Sequence, residues 1–232
     1  MDLIAGLPGS KLSDILSDLK AVMNHRPAEI QLERLKLLAG TPLAQTPAQW
    51  GLISNAKPPY QVLKTPTLSP DDLAQSDRLS MLLDWYYNTP EIHSVFVEAV
   101  AIEPSLLARF EEWGRGRIEY RIRPSLESRF ESLHAFLQSE VIHNTACGGA
   151  LEPVVHRLQY RWLRLGFSAR NGLCPAVLWK KKMPSDAVLV EGDAEAKVLR
   201  TWQVNLEVPH YFCYGTGTRG QRAVIAVYRS SL

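Results

Sequence analysis

The chain has 232 residues, 46% hydrophobic and 22% charged, which are ordinary globular values with room for one large domain or two small ones. Twenty-six basic residues against 24 acidic ones leave a net charge of +2, a balance that by itself argues for neither nucleic acid nor a membrane surface. No apolar run approaches the ~20 residues of a membrane span. The start carries an acid at position 2 and no basic n-region, so a secretory signal is not read and the cytoplasm is the expected compartment. The three cysteines, Cys147, Cys174 and Cys213, have long irregular spacings and form no CxxC or CxxxCxxC. That pattern argues against a zinc knuckle or a self-contained iron–sulfur site and for reduced, buried thiols.

Taken in chain order, LIAGL is a short apolar run suited to a parallel strand buried on both faces. Leu7-Pro8-Gly9-Ser10 turns the chain, with Ser10 as the expected helix cap. Leu12, Ile15, Leu16, Leu19, Val22 and Met23 then follow helical spacing until Arg26-Pro27 stops them. EIQLERLKLLAGTPL, residues 29–43, fits either element on pattern, and its place after a strand and a helix favours the second strand of a βαβ unit. Residues 44–68 carry Pro47, Pro58, Pro59 and Pro66 and read as a long loop anchored by Trp50 and Tyr60.

Ser69-Pro70-Asp71-Asp72 is a helix start with a cap, a proline at the first position and acids in the first turn. Leu79, Leu82, Leu83 and Tyr86 continue that helix, and Asn88-Thr89-Pro90 interrupts it. Further helices are expected around Ile92–Val100, Leu106–Trp113, Leu126–Val141 and Glu152–Leu165. After that the character changes. AVLVEG, VLRTWQVNLEV, HYFCY and RAVIAVYR are rich in β-branched and aromatic residues, and GTGTRGQ between Tyr214 and Arg222 reads as a hairpin loop rather than a P-loop, since it lacks the GK[ST] ending. The expected fold is therefore α/β at the start, a βαβ piece, followed by a mostly helical domain and a β-rich C-terminal tail. The divisions fall at 1–43, 44–68, 69–166 and 167–232. Two parallel strands make no stable sheet alone, so either the tail strands complete it or further strands lie elsewhere.

DLIAGLPG resembles the strand-turn motif D-[LI]-I-x-G-[LF]-P-G-E in the second half of the radical SAM partial barrel. RPAEIQLERLKLLAGTPL resembles the next barrel strand with its G-T-P-L turn. AQWGLISNAKPPYQVLKTPTLSPDDL and LLDWYYNTPEI are similar to the region after the barrel in cobalamin-binding radical SAM proteins, many of which carry a C-terminal domain of unknown function. The resemblance covers Asp2 to about Phe110, thins towards Val141 and fades after that. Four departures accompany it. The CxxxCxxC cluster motif, the glycine-rich motif for the SAM amino group and the cobalamin-binding domain are absent, and Ser10 stands where the family usually has Glu. The resemblance thus implies that Met1 lies at about the fifth strand of a barrel, and that the chain is the downstream part of a larger enzyme.

For the full-length family the resemblance implies SAM, a [4Fe–4S] cluster and cobalamin, with none of them bound independently by this chain. In α/β barrels the reactive end is the C-terminal end of the strands. The resemblance therefore implies that Ile4, Gly6, Leu7, Pro8 and Gly9 contact the adenosyl part of SAM, while the plain alternative is that Gly6 and Gly9 only make the turn. On the second strand, Gln31 and Glu33 share one face and Arg34 and Lys36 the other. One face would meet substrate, with Gln31 and Glu33 as the candidates, and a solvated, salt-bridged face is the alternative. No catalytic residue and no metal ligand is assigned.

The six histidines, His25, His93, His134, His143, His156 and His210, form no HxH or HExxH and read as surface or satisfied core groups. Basic residues gather from 157 to 182: Arg157, Arg161, Arg164, Arg170 and Lys180–Lys182, interleaved with Tyr160, Trp162 and Trp179. Arg157, Arg161 and Arg164 share one helical face, which fits both a solvated face and a surface for RNA phosphates. Two functional classes follow. The first is the C-terminal portion of a cobalamin-dependent radical SAM enzyme, incompetent alone and partnered by an N-terminal half in the same or a separate chain. The second is a stand-alone binding module for a protein or RNA partner through Arg157, Arg161 and Arg164.

Overall fold

A parallel strand pair bridged by a helix opens the chain, in the computed structural model that describes residues 1–144, 146–168, 173–174, 176–195, 197–216 and 222–231. Strand β1 (Asp2–Ala5), helix α1 (Leu12–Asn24) and strand β2 (Gln31–Arg34) form the expected βαβ start, with Asp2 opposite Gln31 and Ala5 opposite Arg34. The apolar stripe of α1 is buried at Ile15, Leu19, Val22 and Met23. Its cap is one residue later than Ser10. Lys11 takes the extended cap conformation and its N–H donates to the Asp14 carboxylate at 2.9 Å, while the Ser10 carbonyl accepts from the Thr67 hydroxyl at 2.6 Å.

The contacts divide the chain into two compact units, Met1–Ser125 and Leu126–Leu232. In the first, residues 44–68 are more ordered than a proline-rich loop. A short helix α2 (Pro42–Gln45) and a 3-10 turn (Pro47–Trp50) each carry proline in the first turn, where its missing N–H has no partner to lose. An antiparallel hairpin follows, β3 (Ile53–Ser54) with β4 (Val62–Lys64). Trp50 is not an anchor, being 45% exposed; Leu52, Val62, Thr65 and Leu68 are the buried residues of this stretch. Tyr60 is half-buried and its carbonyl accepts from Leu37 N–H at 2.9 Å, which ties the hairpin to the end of β2.

Helix α3 (Pro70–Leu82) begins as its sequence dictates. Ser69 Oγ accepts from Asp72 N–H at 3.1 Å and the Asp72 carboxylate accepts from Ser69 N–H at 2.8 Å. It runs into a π-helical segment, Leu83–Tyr87, closed by a bond from Asn88 N–H to the Leu83 carbonyl at 2.8 Å. The widened turn buries Trp85, Tyr86 and Tyr87 together while leaving Asp84 exposed. Helices α4 (Pro90–Ile102) and α5 (Leu106–Gly114) complete the core through Phe96 and Phe110, whose rings lie near Tyr86.

The second unit pairs helices α6 (Leu126–His143) and α7 (Gly148–Arg164) with a five-stranded antiparallel sheet. A side chain on Gly148 would come within 2.6 Å of the Val141 carbonyl oxygen, so only glycine lets α7 start this close to the end of α6. The sheet order is β5 (Ala176–Trp179), β7 (Arg200–Asn205), β8 (Pro209–Thr216), β9 (Arg222–Ser230) and β6 (Ala187–Gly192). The β8–β9 hairpin is as expected from composition, although positions 217–221 of its loop lie outside the described residues. Strand β5 was not expected. The tail strands form their own sheet and leave β1–β2 a two-stranded one.

The contacts therefore separate the chain well before the compositional change at 166/167. The reason is on α7: Trp162 Nε1 donates to the Ser168 carbonyl at 3.0 Å, and Tyr214 on β8 donates to the Leu163 carbonyl at 3.2 Å. These bonds fasten α7 to the segment that follows residue 166.

Candidate functional site

The two faces of the β1–β2 pair differ in kind. Ala5 and Leu32 are buried on one face with Leu3 and Arg34 half-buried beside them, and α1 and α3 lie against that side. Arg34 is held there by a bidentate pair with Asp77 of α3. Asp2, Ile4, Gln31 and Glu33 form the other face, and all four are exposed. The choice that the sequence leaves open is thus made by Asp77: Gln31 and Glu33 are on the uncovered face, and Arg34 is not. Lys36 leans back to Glu33, Nζ to Oε2 at 3.0 Å.

At the C-terminal end of β1 the chain turns through Gly6 (φ +102°) and Gly9 (φ +81°). The two glycines are not equivalent. A side chain at Gly6 would face protein, 3.4 Å from Leu35 Cβ and 3.6 Å from Leu73, whereas one at Gly9 would meet nothing within 4 Å. Gly6 is buried against Leu35, Leu73 and Val62. Of the five residues assigned by resemblance to SAM, Ile4 on β1 and Leu7 and Gly9 in the turn are exposed, Pro8 is half-buried and Gly6 is internal.

Gln31 and Glu33 also line a groove of about 310 Å³ together with Glu29, Ser80, Asp84 and Asn88. The far wall is supplied by the end of α3 and the π-helical segment, which turn Ser80 and Asp84 to the strand. Gln31 Nε2 donates to Glu29 Oε1 at 2.8 Å, and Asp84 lies 3.8 Å from the Arg123 guanidinium. The groove is rich in carboxylate and amide oxygens, an arrangement that accepts hydrogen bonds and favours a polar or cationic group. The Ser80–Asn88 wall has no signature of its own in sequence. Its one trace is the YYN run of the resemblance, Tyr86, Tyr87 and Asn88.

Among the described residues, no group of three or more His, Cys, Asp or Glu side chains could hold a metal ion. The three cysteines are buried. Burial pushes the Cys174 thiol up to about 12, and burial also raises that of Cys213, so both are inert thiols rather than ready thiolates. His93 and His143 each hold a backbone carbonyl, of Tyr87 and Ser139, at 2.6 and 2.8 Å.

In the second unit, the three arginines of α7 have separate fates. Arg164 binds Glu191 and donates to the Val224 carbonyl at 3.4 Å; the Arg164 hydrogen bond holds the Glu191 carboxyl below its usual range. Arg161 is half-buried and Arg157 is exposed. Arg170 lies outside the described residues.

The model of a family described as a protein of unknown function (DUF4080) matches residues 48–187, more than half of the chain. The chain belongs to the DUF4080 family. The DUF4080 match begins inside the 3-10 turn and ends at the first residue of β6. It includes the Ser80–Asn88 wall of the groove and all of α7, and it leaves out Ile4, Gly6–Gly9, Gln31 and Glu33. No curated protein and no solved structure matches the chain. No helix among the described residues is long and apolar enough to cross a membrane.

Proposed function

We infer that the chain is the C-terminal portion of a cobalamin-dependent radical SAM enzyme, forming part of the SAM and substrate barrel plus an accessory domain. One observation carries the reading. The carbonyls of Met1 and Ala5 accept from Gln31 and Leu35 N–H, so strand alternation turns the backbone groups of Asp2 and Ile4 to the opposite edge, where no described strand pairs with them. A parallel strand with one open edge, helices on one face and a glycine turn at its C-terminal end is what the end of such a barrel requires. Membership of a family of unknown function is consistent with the accessory domain of the resemblance.

The fit to the implied groups differs from one to the next. Ile4, Leu7 and Gly9 offer exposed apolar side chains and open space at the end of β1, which suits contact with an adenosyl group. When bound, SAM would supply a radical precursor, and these residues would only hold and orient it. An iron–sulfur cluster needs several thiolates close together, and the three buried cysteines do not fit one. By resemblance the cluster and the cobalamin belong to the preceding part of the enzyme, and no residue here is assigned to them.

The test is the mass of the native protein captured from its source cells. A species much heavier than 26.1 kDa is expected, and one at 26.1 kDa would turn attention to the binding-module reading. A second arm reconstitutes the isolated chain anaerobically with iron and sulfide and assays SAM cleavage to 5′-deoxyadenosine. None is expected, and a stoichiometric, competent cluster overturns the proposal. The RNA or protein binding module draws less support, because Arg164 is turned to Glu191 rather than outward.

A further inference from the structure

Helix α7 lines up Pro153, His156, Arg157 and Tyr160 at spacings of three and four residues, one face of the helix. Across from it lie the β7–β8 turn, His210 on β8 and Arg229 on β9, and together they enclose a pocket of about 190 Å³. His210 and Arg229 are direct cross-strand partners. The Tyr160 ring stands edge-on to the His210 ring with centroids 5.8 Å apart, and its hydroxyl is engaged by Glu191 at 2.9 Å, so tyrosine contributes an apolar wall. Pro153 and Val208 extend that wall.

The polar groups around this wall are mostly cationic. Arg157 and Arg229 are both exposed at the lining, against the one acid, Glu207. One imidazole, His156, adds a donor. A carbonyl only accepts, so the 2.8 Å contact of His210 Nδ1 with the Val208 carbonyl puts a proton on Nδ1, and in the neutral ring that burial favours Nε2 is an acceptor, suited to a phosphate O–H. His156 Nδ1 is buried without a hydrogen-bond partner in the structure, so Nε2 is the nitrogen that its ring has to offer. Two guanidiniums, the His156 imidazole and an aromatic wall form a combination that recognises a carboxylate or phosphate joined to an apolar body.

We propose that this pocket between α7 and the β7–β8–β9 strands binds a small organic anion, a carboxylate or a phosphate monoester. It shares no residue with the β1–β2 groove and does not depend on the radical SAM reading. The test is NMR of the whole chain carrying labelled histidine, titrated with benzoate and with phenyl phosphate. Saturable shifts are expected at His156 and His210, with the exposed His25 and His143 unmoved, and the better probe names the anion. The double variant Arg157→Gln, Arg229→Gln should bind at least about tenfold more weakly, the loss expected for charge-assisted hydrogen bonds. Benzyl alcohol, the neutral counterpart, is measured on the unaltered chain, so the answer survives a variant that fails to fold. Equal binding of benzyl alcohol, equal shifts at all the histidines, or no saturation with either anion overturns the proposal. So does a response to single-stranded RNA alone.

Discussion

Asn88 and Ile30 exchange two hydrogen bonds: Ile30 N–H donates to Asn88 Oδ1 at 3.0 Å, and Asn88 Nδ2 donates to the Ile30 carbonyl at 2.8 Å. A side-chain amide thus does for Ile30 what a neighbouring strand would do. Ile30 is fully buried, so its backbone groups have no solvent to fall back on. Asn88→Ala should cost about 2 kcal/mol, read as a lower urea midpoint at unchanged slope, because two buried groups lose their partner at once. An unchanged midpoint would show that the pair contributes nothing.

Glu111 gives a pH dependence with a definite sign. Its side chain is fully buried; burial alone would raise its carboxyl, but hydrogen bonds from Arg115 and Arg78 outweigh that and hold it below the usual range. The unfolded chain therefore binds the proton more readily. Stability from this group is present above the unfolded value of about 4.3 and is lost as pH falls through the lower folded value. Glu111→Gln should cost about 3 kcal/mol at neutral pH and flatten the acid side of the stability profile. The check is urea unfolding of both chains across the acid range.

Tyr120 is the opposite case. Its ring stacks on Trp85 at 5.8 Å, but its hydroxyl is buried without a partner in the structure. Tyr120→Phe should be neutral or stabilising by on the order of 1 kcal/mol, since the lost group was desolvated for nothing. Burial pushes Tyr120 up to about 12, and burial with the Glu191 hydrogen bond does the same for Tyr160. Both should stay protonated at a pH where a free phenol, with its ordinary value of about 10, has ionised. As their folded values are raised, folding stability is at its full value below about 10 and is lost as pH climbs through the folded values. Phenolate absorbance in the folded chain, followed against pH, reads this directly.

The two glycines of the first turn separate by substitution. Gly6→Ala brings a methyl 3.4 Å from Leu35 Cβ at φ +102°, while Gly9→Ala at φ +81° meets open space. Both pay backbone strain of about 1–2 kcal/mol, and Gly6→Ala should lose more, because its neighbours must also shift. Thermal midpoints of the two variants test the ranking, and a larger loss at Gly9 would contradict it.

Much of the fold was legible where local chemistry sufficed. Ser69-Pro70-Asp71-Asp72 announces α3 because cap, proline and acids all act within one turn. The parity of Gln31 and Glu33 follows from strand alternation, but the side they face is decided by Asp77, a residue far along the chain. Strand β5 was missed because four residues between Pro175 and three lysines carry too little pattern, and only pairing with β7 makes them a strand. The hairpin of residues 53–64 was hidden for a related reason. Its prolines look like breakers, and the pairing that overrides them is tertiary. The groove wall from Ser80 to Asn88 and the α7 pocket depend on elements brought together by folding, so no spacing rule reaches them.

In the C-terminal sheet, β5 pairs with β7 alone and β6 pairs with β9 alone, at opposite edges. Both edge strands precede the β7–β8–β9 meander that gives them partners, so during synthesis they emerge with nothing to pair with. Strand β6 waits longest, with Val188, Leu189 and Val190 all exposed even in the finished sheet. A stop before Arg222 would leave that apolar strand single. The nine-residue strand β9 is therefore what closes one edge of β6, and until it emerges both edges of β6 are open to other chains.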